Sequence, residues 1–242
     1  MKTVEELIKE QEALHQEIDR IAESLDNGLS PIYDGVGNID IYLSSPLKIM
    51  WLVKESYDQD KQGNKGTGNW SIYDAVQRDT AWSYLSFQRM TYALYGYNNG
   101  IYYEGKDMPM IRDHKEMVKD LANIAYININ KLPGGTSSSD SHIASCYKIW
   151  NKIIDEQIEV YNPDVIILGG TKKFLDFRDE LIPCKQYDNN DVNPKLSSNV
   201  YKWGSRWIIS VCHPGYRMST EVYVDLVIDS LRYVAEQLKI HK

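Results

Sequence analysis

Glu55, Asn128 and His213 each stand at the end of a short apolar run: Ile49–Val53, Ile124–Asn128 and Trp207–Cys212. A carboxylate can hold or deprotonate an attacking water. An imidazole N–H can stabilise negative charge as it develops. A carboxamide presents a donor and an acceptor side by side and so can read one polar edge of a ligand. The runs are five or six residues long, too short for a typical helix. They read as strands buried on both faces, as in a parallel sheet. A fourth run, Val165–Gly169, ends in the pair Gly169-Gly170. Open α/β sheets bind ligands beyond the carboxyl ends of their strands. Four parallel neighbours would therefore bring Glu55, Asn128 and His213 to one crevice.

The elements around these runs alternate strand with helix. Thr3–Leu25 reads as a helix, with Thr3 and Glu6 as a capping box and Leu7, Leu14, Ile18, Ile21 and Leu25 on one face. Ile39–Leu43 is expected as a short edge strand. Ser71–Arg78 and Thr80–Tyr95 are expected as helices, Tyr97–Met110 as an irregular excursion and Ile111–Leu121 as a further helix. Asp140–Tyr161 is a long helix with Ile143, Ile149, Ile153, Ile154 and Ile158 inside, and Thr171–Glu180 a short one. Pro183–Ser198 is polar enough for a surface loop. Val200–Trp203 and Arg206–Cys212, joined by Gly204-Ser205, suggest a hairpin. Thr220–Leu238 is the last helix. The pattern predicts an α/β fold of one domain over residues 1–242, with residues 1–28 as a flanking helix. The glycine-rich run 63–68 lacks the Gly-Lys-Ser/Thr of a phosphate-binding loop and reads as a linker.

Composition narrows the partners. With 43% apolar and 25% charged residues the chain is expected to fold around a core in water. A net charge of −7 weighs against a strongly basic nucleic-acid binder but leaves room for a local basic strip. No uncharged apolar run is long enough to span a membrane. Cys146, Cys184 and Cys212 are too far apart for a zinc or iron–sulfur site, so no metal and no cofactor is expected. Reduced thiols point to the cytoplasm, and the chain is expected to be a monomer.

Four segments, in order, resemble the uracil-DNA glycosylase superfamily. Ile49–Ser56 (IMWLVKES) is similar to the strand and turn that carry the family's water-positioning residue, with Glu55 at that place. Ala125–Pro133 (AYININKLP) resembles the strand end that bears a base-reading asparagine and a lysine, matched by Asn128 and Lys131. Asn162–Gly170 (NPDVIILGG) resembles the third strand, and His213-Pro214-Gly215 the His-Pro-Ser opening of the second family motif. Lys54, Tyr57 and Gly215 depart from the family pattern, and the cysteines of its iron–sulfur branch are absent.

The resemblance implies a three-layer α/β/α sandwich with a central, mainly parallel four-stranded sheet, and hydrolysis of the N-glycosidic bond of uracil or a related damaged base in DNA. It implies Glu55 and His213 as catalytic residues and Asn128 as the reader of the base. Trp70 or Tyr73 would stack on a flipped base. Tyr216, Arg217 and Met218 would meet DNA where the base leaves the stack, and Lys131 would add positive charge. Two other readings share the fold: an enzyme or binder for a free nucleoside or small ligand, and an inactive interaction protein. The acidic charge and the departures at Tyr57 and Gly215 favour the former of these two.

Overall fold

The computed structural model of the chain describes residues 2–59, 63–64, 66–105, 107–188 and 197–240. The glycine-rich run 63–68 and the polar stretch 183–198 fall partly outside the described residues. In chain order the elements are α1 (Val4–Ser24), β1 (Ile32–Tyr33), β2 (Gly35–Val36), α2 (Ile39–Ser44), β3 (Ile49–Tyr57), β4 (Trp70–Ser71), α3 (Ile72–Gln77), α4 (Leu85–Asn99), β5 (Ala125–Gly134), α5 (Asp140–Tyr161), β6 (Val165–Gly169), β7 (Ile182–Asp188), β8 (Ser197–Trp203), β9 (Arg206–Val211) and α6 (Thr220–Gln237).

Seven strands form one sheet in the order β2-β5-β3-β6-β9-β8-β7. Its centre, β5-β3-β6-β9, is parallel throughout, and the flanking pairs β2-β5, β9-β8 and β8-β7 are antiparallel. The four central strands are the four apolar runs, in sequence order second-first-third-fourth. The order reverses between β3 and β6, which puts the crevice of an open α/β sheet at their carboxyl ends.

Alternation along each strand splits the core into two layers. Trp51, Val53, Tyr126, Ile167 and Ile209 pack with α3, α4 and α6 on one face. Met50, Leu52, Ile127, Leu168 and Ile208 pack with α1, α2 and α5 on the other. Helices thus cover both faces, which is why the central strands lack the polar-outside alternation of a half-exposed sheet. At α1 the capping box forms as expected, with the Thr3 hydroxyl accepting from Glu6 N–H and the Glu6 carboxylate accepting from Thr3 N–H.

Six expectations need correction, the first being the four-stranded sheet, which has seven strands because β2, β8 and β7 extend the parallel centre with antiparallel edges. Ile39–Leu43 alternates like a strand but belongs to helix α2, because the Asn38 side chain accepts from Ile41 N–H and starts a turn that buries Tyr42. Thr171–Glu180 is not one helix but two short 3-10 turns, Lys172–Phe174 and Asp176–Glu180, separated by an extended Leu175. The segment expected as helix Ile111–Leu121 is 3-10 over Lys115–Asn123. Pro183–Ser198 begins within strand β7, which gains its backbone partners from β8. Ile149 is exposed on α5.

The second strand also runs further than its apolar stretch. β5 continues to Gly134 and is buried along its whole length. That extension forces Lys131 into the α1/α5 layer, where its side chain is 0% exposed. Asp34, in the turn between β1 and β2, neutralises it there. One Asp34 carboxylate oxygen accepts from Lys131 Nζ at 2.8 Å and from Asn128 N–H at 2.7 Å, and the other accepts from Gln157 Nε2 at 2.7 Å. Gln157 Oε1 takes a second Lys131 proton at 2.7 Å. Removing one member of a buried ion pair strands the other charge. Asp34→Ala is therefore expected to lower unfolding stability by about 3–5 kcal/mol in urea melts. Asp34→Leu combined with Lys131→Met should recover only part of that loss, because Asn128 N–H and Gln157 remain without their acceptor.

Candidate active site

The carboxyl ends of β3, β5 and β9 open into a pocket of about 760 Å³, within the usual size of a small-ligand site. Glu55, Ser56, Ser138, His213 and Gly215 are part of its lining, while Trp70, Phe87 and Tyr126 supply aromatic wall. Phe87 meets Tyr126 edge to face with ring centroids 6.0 Å apart. Trp70 is held by the short parallel pairing of β4 with β1 and by its indole N–H donating to Asp58 at 3.2 Å. The Arg78 guanidinium lies 5.3 Å from the centre of the Trp70 ring.

Glu55 ends up here because β3 carries an irregularity between Glu55 and Tyr57, where its register against β5 shifts. A register shift of this kind re-aims a side chain at a strand end. The Glu55 side chain is only 4% exposed. Its Oε2 accepts from Asn130 Nδ2 at 3.0 Å and from His142 Nε2 at 3.1 Å, and its Oε1 accepts from the Ser138 hydroxyl. A carboxylate can only accept, so the His142 nitrogen facing it carries the proton. Glycine is required at Gly134 beside this group, because a Cβ there would lie 2.5 Å from the Glu55 carboxyl carbon.

His213 is built differently. Its Nδ1 accepts from Gly215 N–H at 3.0 Å, which in a neutral ring leaves the proton on Nε2 as a donor. Burial and, secondarily, the nearby Lys54 ammonium push the ring from its usual 6.5 down to about 4. Arg89 of α4 holds the chain that follows. Its guanidinium donates to the carbonyls of Pro214 at 2.7 Å, Tyr216 at 2.6 Å and Met218 at 2.5 Å, and its Nε to Thr220 Oγ1 at 3.3 Å.

Of the residues singled out in the sequence, Glu55, His213, Trp70 and Tyr216 line this pocket. Arg217 is exposed on the turn after His213. Asn128 points to the same face of the sheet but lies beneath the pocket, 1% exposed, with its Nδ2 donating to Ser56 Oγ at 3.1 Å. Its Oδ1 has no hydrogen-bond partner among the described residues. Three assignments are corrected. Lys131 is enclosed with Asp34 and Gln157 and cannot reach DNA. Tyr73 turns away from the pocket and donates to Gln11 at 3.3 Å. Met218 packs inward beside Val222 and Leu226, its sulfur 3.1 Å from the Cys212 thiol, so it cannot act as a wedge.

Ser138, His142 and Arg89 were missed. Asn130 was readable by alternation from Asn128, as a residue two places on along an extended strand. His142 was readable as a first-turn residue of the helix that follows the β5 tip, with Ser139 as its N-cap. Nothing in the sequence marks Arg89, which lies among apolar residues of α4 and contacts a loop more than 120 residues away. Among the described residues, no group of three or more His, Cys, Asp or Glu is arranged to hold a metal ion, and no helix is long and apolar enough to cross a membrane. Compared with models of known protein families and with curated protein sequences, the chain gives no match.

The low value for His213 has a measurable consequence. An unfolded histidine binds its proton near 6.5 and the folded one only near 4. Between those values the unfolded state holds more protons, so the His213 share of stability is present above 6.5 and is lost as pH falls toward 4. A ring-carbon NMR titration should give His213 a midpoint near 4. His213→Gln should flatten the acid limb of the stability profile over that window.

Proposed function

We propose that the protein is a base-excision glycosylase that hydrolyses the N-glycosidic bond of uracil or a related base in DNA. The observation that carries this reading is the pairing, across one aromatic-walled pocket, of a buried carboxylate with a neutral imidazole. Breaking the bond between base N1 and sugar C1′ builds positive charge on the sugar and negative charge on base O2. Glu55 would lie on the sugar side, holding a water and taking its proton as oxygen bonds to C1′. His213 would donate Nε2–H to O2 as the base leaves with the bonding electron pair. A neutral ring whose Nδ1 accepts from Gly215 N–H has Nε2–H free to make that donation.

The other donors support the division of labour. Asn130, Ser138 and His142 fix the carboxylate in one orientation, and a held base needs no reorganisation during the step. Asn128 Oδ1, which has no partner among the described residues, is an acceptor that a base N–H would complete. Ser56 covers that amide, so reading by Asn128 requires the Ser56 hydroxyl to shift.

A second reading, cleavage of a free nucleoside, is favoured by the inward turn of Lys131 and by the net charge of −7. One experiment separates the two: single-turnover cleavage of uracil-containing oligonucleotides beside free deoxyuridine. Cleavage of the oligonucleotide is expected. His213→Ala should slow the step by about a hundredfold or more, with substrate affinity little changed. Glu55→Gln keeps the shape and loses the charge, and it should also slow the step. Equal rates for wild type and His213→Ala would remove histidine from the mechanism. Cleavage of deoxyuridine alone would move the reading to the nucleoside.

A further inference from the structure

Three of the large apolar side chains exposed on this protein ring the same pocket. Tyr57 is 46% exposed, Tyr84 44% and Tyr216 55%, and all three line its mouth. They come from three separate elements: the tip of β3, the N-cap of α4 and the turn after His213. Trp70, partly exposed, adds a fourth ring at the same opening. Tyr57, Tyr84 and Tyr216 lie outside the hydrophobic core that includes Phe87 and Tyr126, whereas Trp70 packs in part against it. Exposed aromatic surface gathered at one opening calls for an occupant.

We propose that this rim is a stacking platform for the unpaired bases on either side of the nucleotide in the pocket, so that the substrate is single-stranded DNA rather than duplex. The inference rests on the glycosylase reading for the nucleotide in the pocket but not for the strand across the rim. Every unpaired base offers a free face to a ring, whereas in a duplex those faces are already covered by neighbouring pairs. The charges at the mouth fit the same occupant. Lys54, which pairs with Asp140 at 3.7 Å, Arg78 and, next to Tyr216, Arg217 supply a few cations near the opening, while Glu55 and Asp58 of the lining are engaged internally. Glu55 accepts from Asn130, Ser138 and His142, and Asp58 accepts from Gly68 N–H and the Trp70 indole. A duplex footprint draws most of its affinity from many phosphate contacts, and among the described residues this mouth presents few cations for them. A short unpaired strand needs fewer, because stacking carries part of the affinity.

The test is fluorescence anisotropy with an end-labelled mixed-sequence oligonucleotide lacking uracil, presented as a single strand and as a blunt duplex at fixed salt. The wild type is expected to bind the single strand at least about tenfold more tightly than the duplex. Tyr84→Ala and Tyr216→Ala should each weaken single-strand binding by about fivefold to a hundredfold, the range seen when a stacking ring is removed. Tyr84→Phe and Tyr216→Phe keep the ring face and should bind like the wild type. Both positions are exposed, so circular dichroism melts should match the wild type in all four variants. Duplex binding as tight as single-strand binding, or alanine variants that bind like the wild type, would overturn the proposal. The outcome is separable from the catalytic reading. Strong single-strand binding without uracil cleavage would support the platform and remove the glycosylase, whereas cleavage with no strand preference would do the reverse.

Discussion

The constraint on which this structure depends is that its four central strands are buried on both faces. Between Met50 and Val53, and again between Val165 and Leu168, no side chain reaches solvent. A polar group placed there would need a buried partner for every donor and acceptor. Chemistry is thereby confined to the strand ends, and since the four strands are parallel, all their carboxyl ends lie on one side. The reversal of strand order between β3 and β6 parts the covering helices there. Position on the sheet alone thus brings Glu55 and His213, 158 residues apart in sequence, to one pocket.

β5 tests that constraint because it overruns it. Its ladder with β3 continues past the apolar stretch, so three polar residues must be accommodated in a buried strand: Asn128, Asn130 and, facing the other way, Lys131. The Lys131 ammonium is held below its usual range by burial, and Asp34 opposes that shift. The same Asp34 carboxylate receives Asn128 N–H, tying the strand that carries the candidate base reader to the ion pair behind it. A buried ion pair is weak as a source of net stability and strong as a fixer of register, since any slip strands a charge. Here it fixes which β5 residues face the pocket. Asn130 meets Glu55 across the ladder because Lys131, one residue on, is committed to the opposite face.

Much of this was legible from sequence because it follows from period and burial. The four central strands, the capping box at Thr3 and the long helix Asp140–Tyr161 all declare themselves through runs, alternation and turn residues. Errors arose where one side-chain bond overrode the pattern. Asn38 turned an alternating segment into a helix, and an extended Leu175 split a helical pattern into two turns. At the site, sequence located the residues at strand tips but not the direction each faces. Lys131 and Asn130 are adjacent, both polar and oppositely oriented, and the length of the β5 ladder together with the Asp34 pairing decides between them. Arg89 was invisible for a related reason: its partners are backbone carbonyls, which exist at every position.

Arg89 also shows how the tautomer of a histidine is set without a carboxylate beside it. The turn after His213 leaves three carbonyls pointing inward, and a fully buried guanidinium satisfies all three. Burial drives the Arg89 guanidinium toward a lower affinity for its proton, yet a guanidinium stays charged where an amine would not. Lysine in its place would supply a point charge in place of a planar fork and could not span Pro214, Tyr216 and Met218 together. The held turn in turn directs Gly215 N–H at His213 Nδ1. That one bond assigns the ring's tautomer, and the tautomer decides that Nε2 presents a proton rather than a lone pair. A buried charge on α4 thus sets, through three carbonyls and one amide, what the histidine at the tip of β9 offers to a ligand.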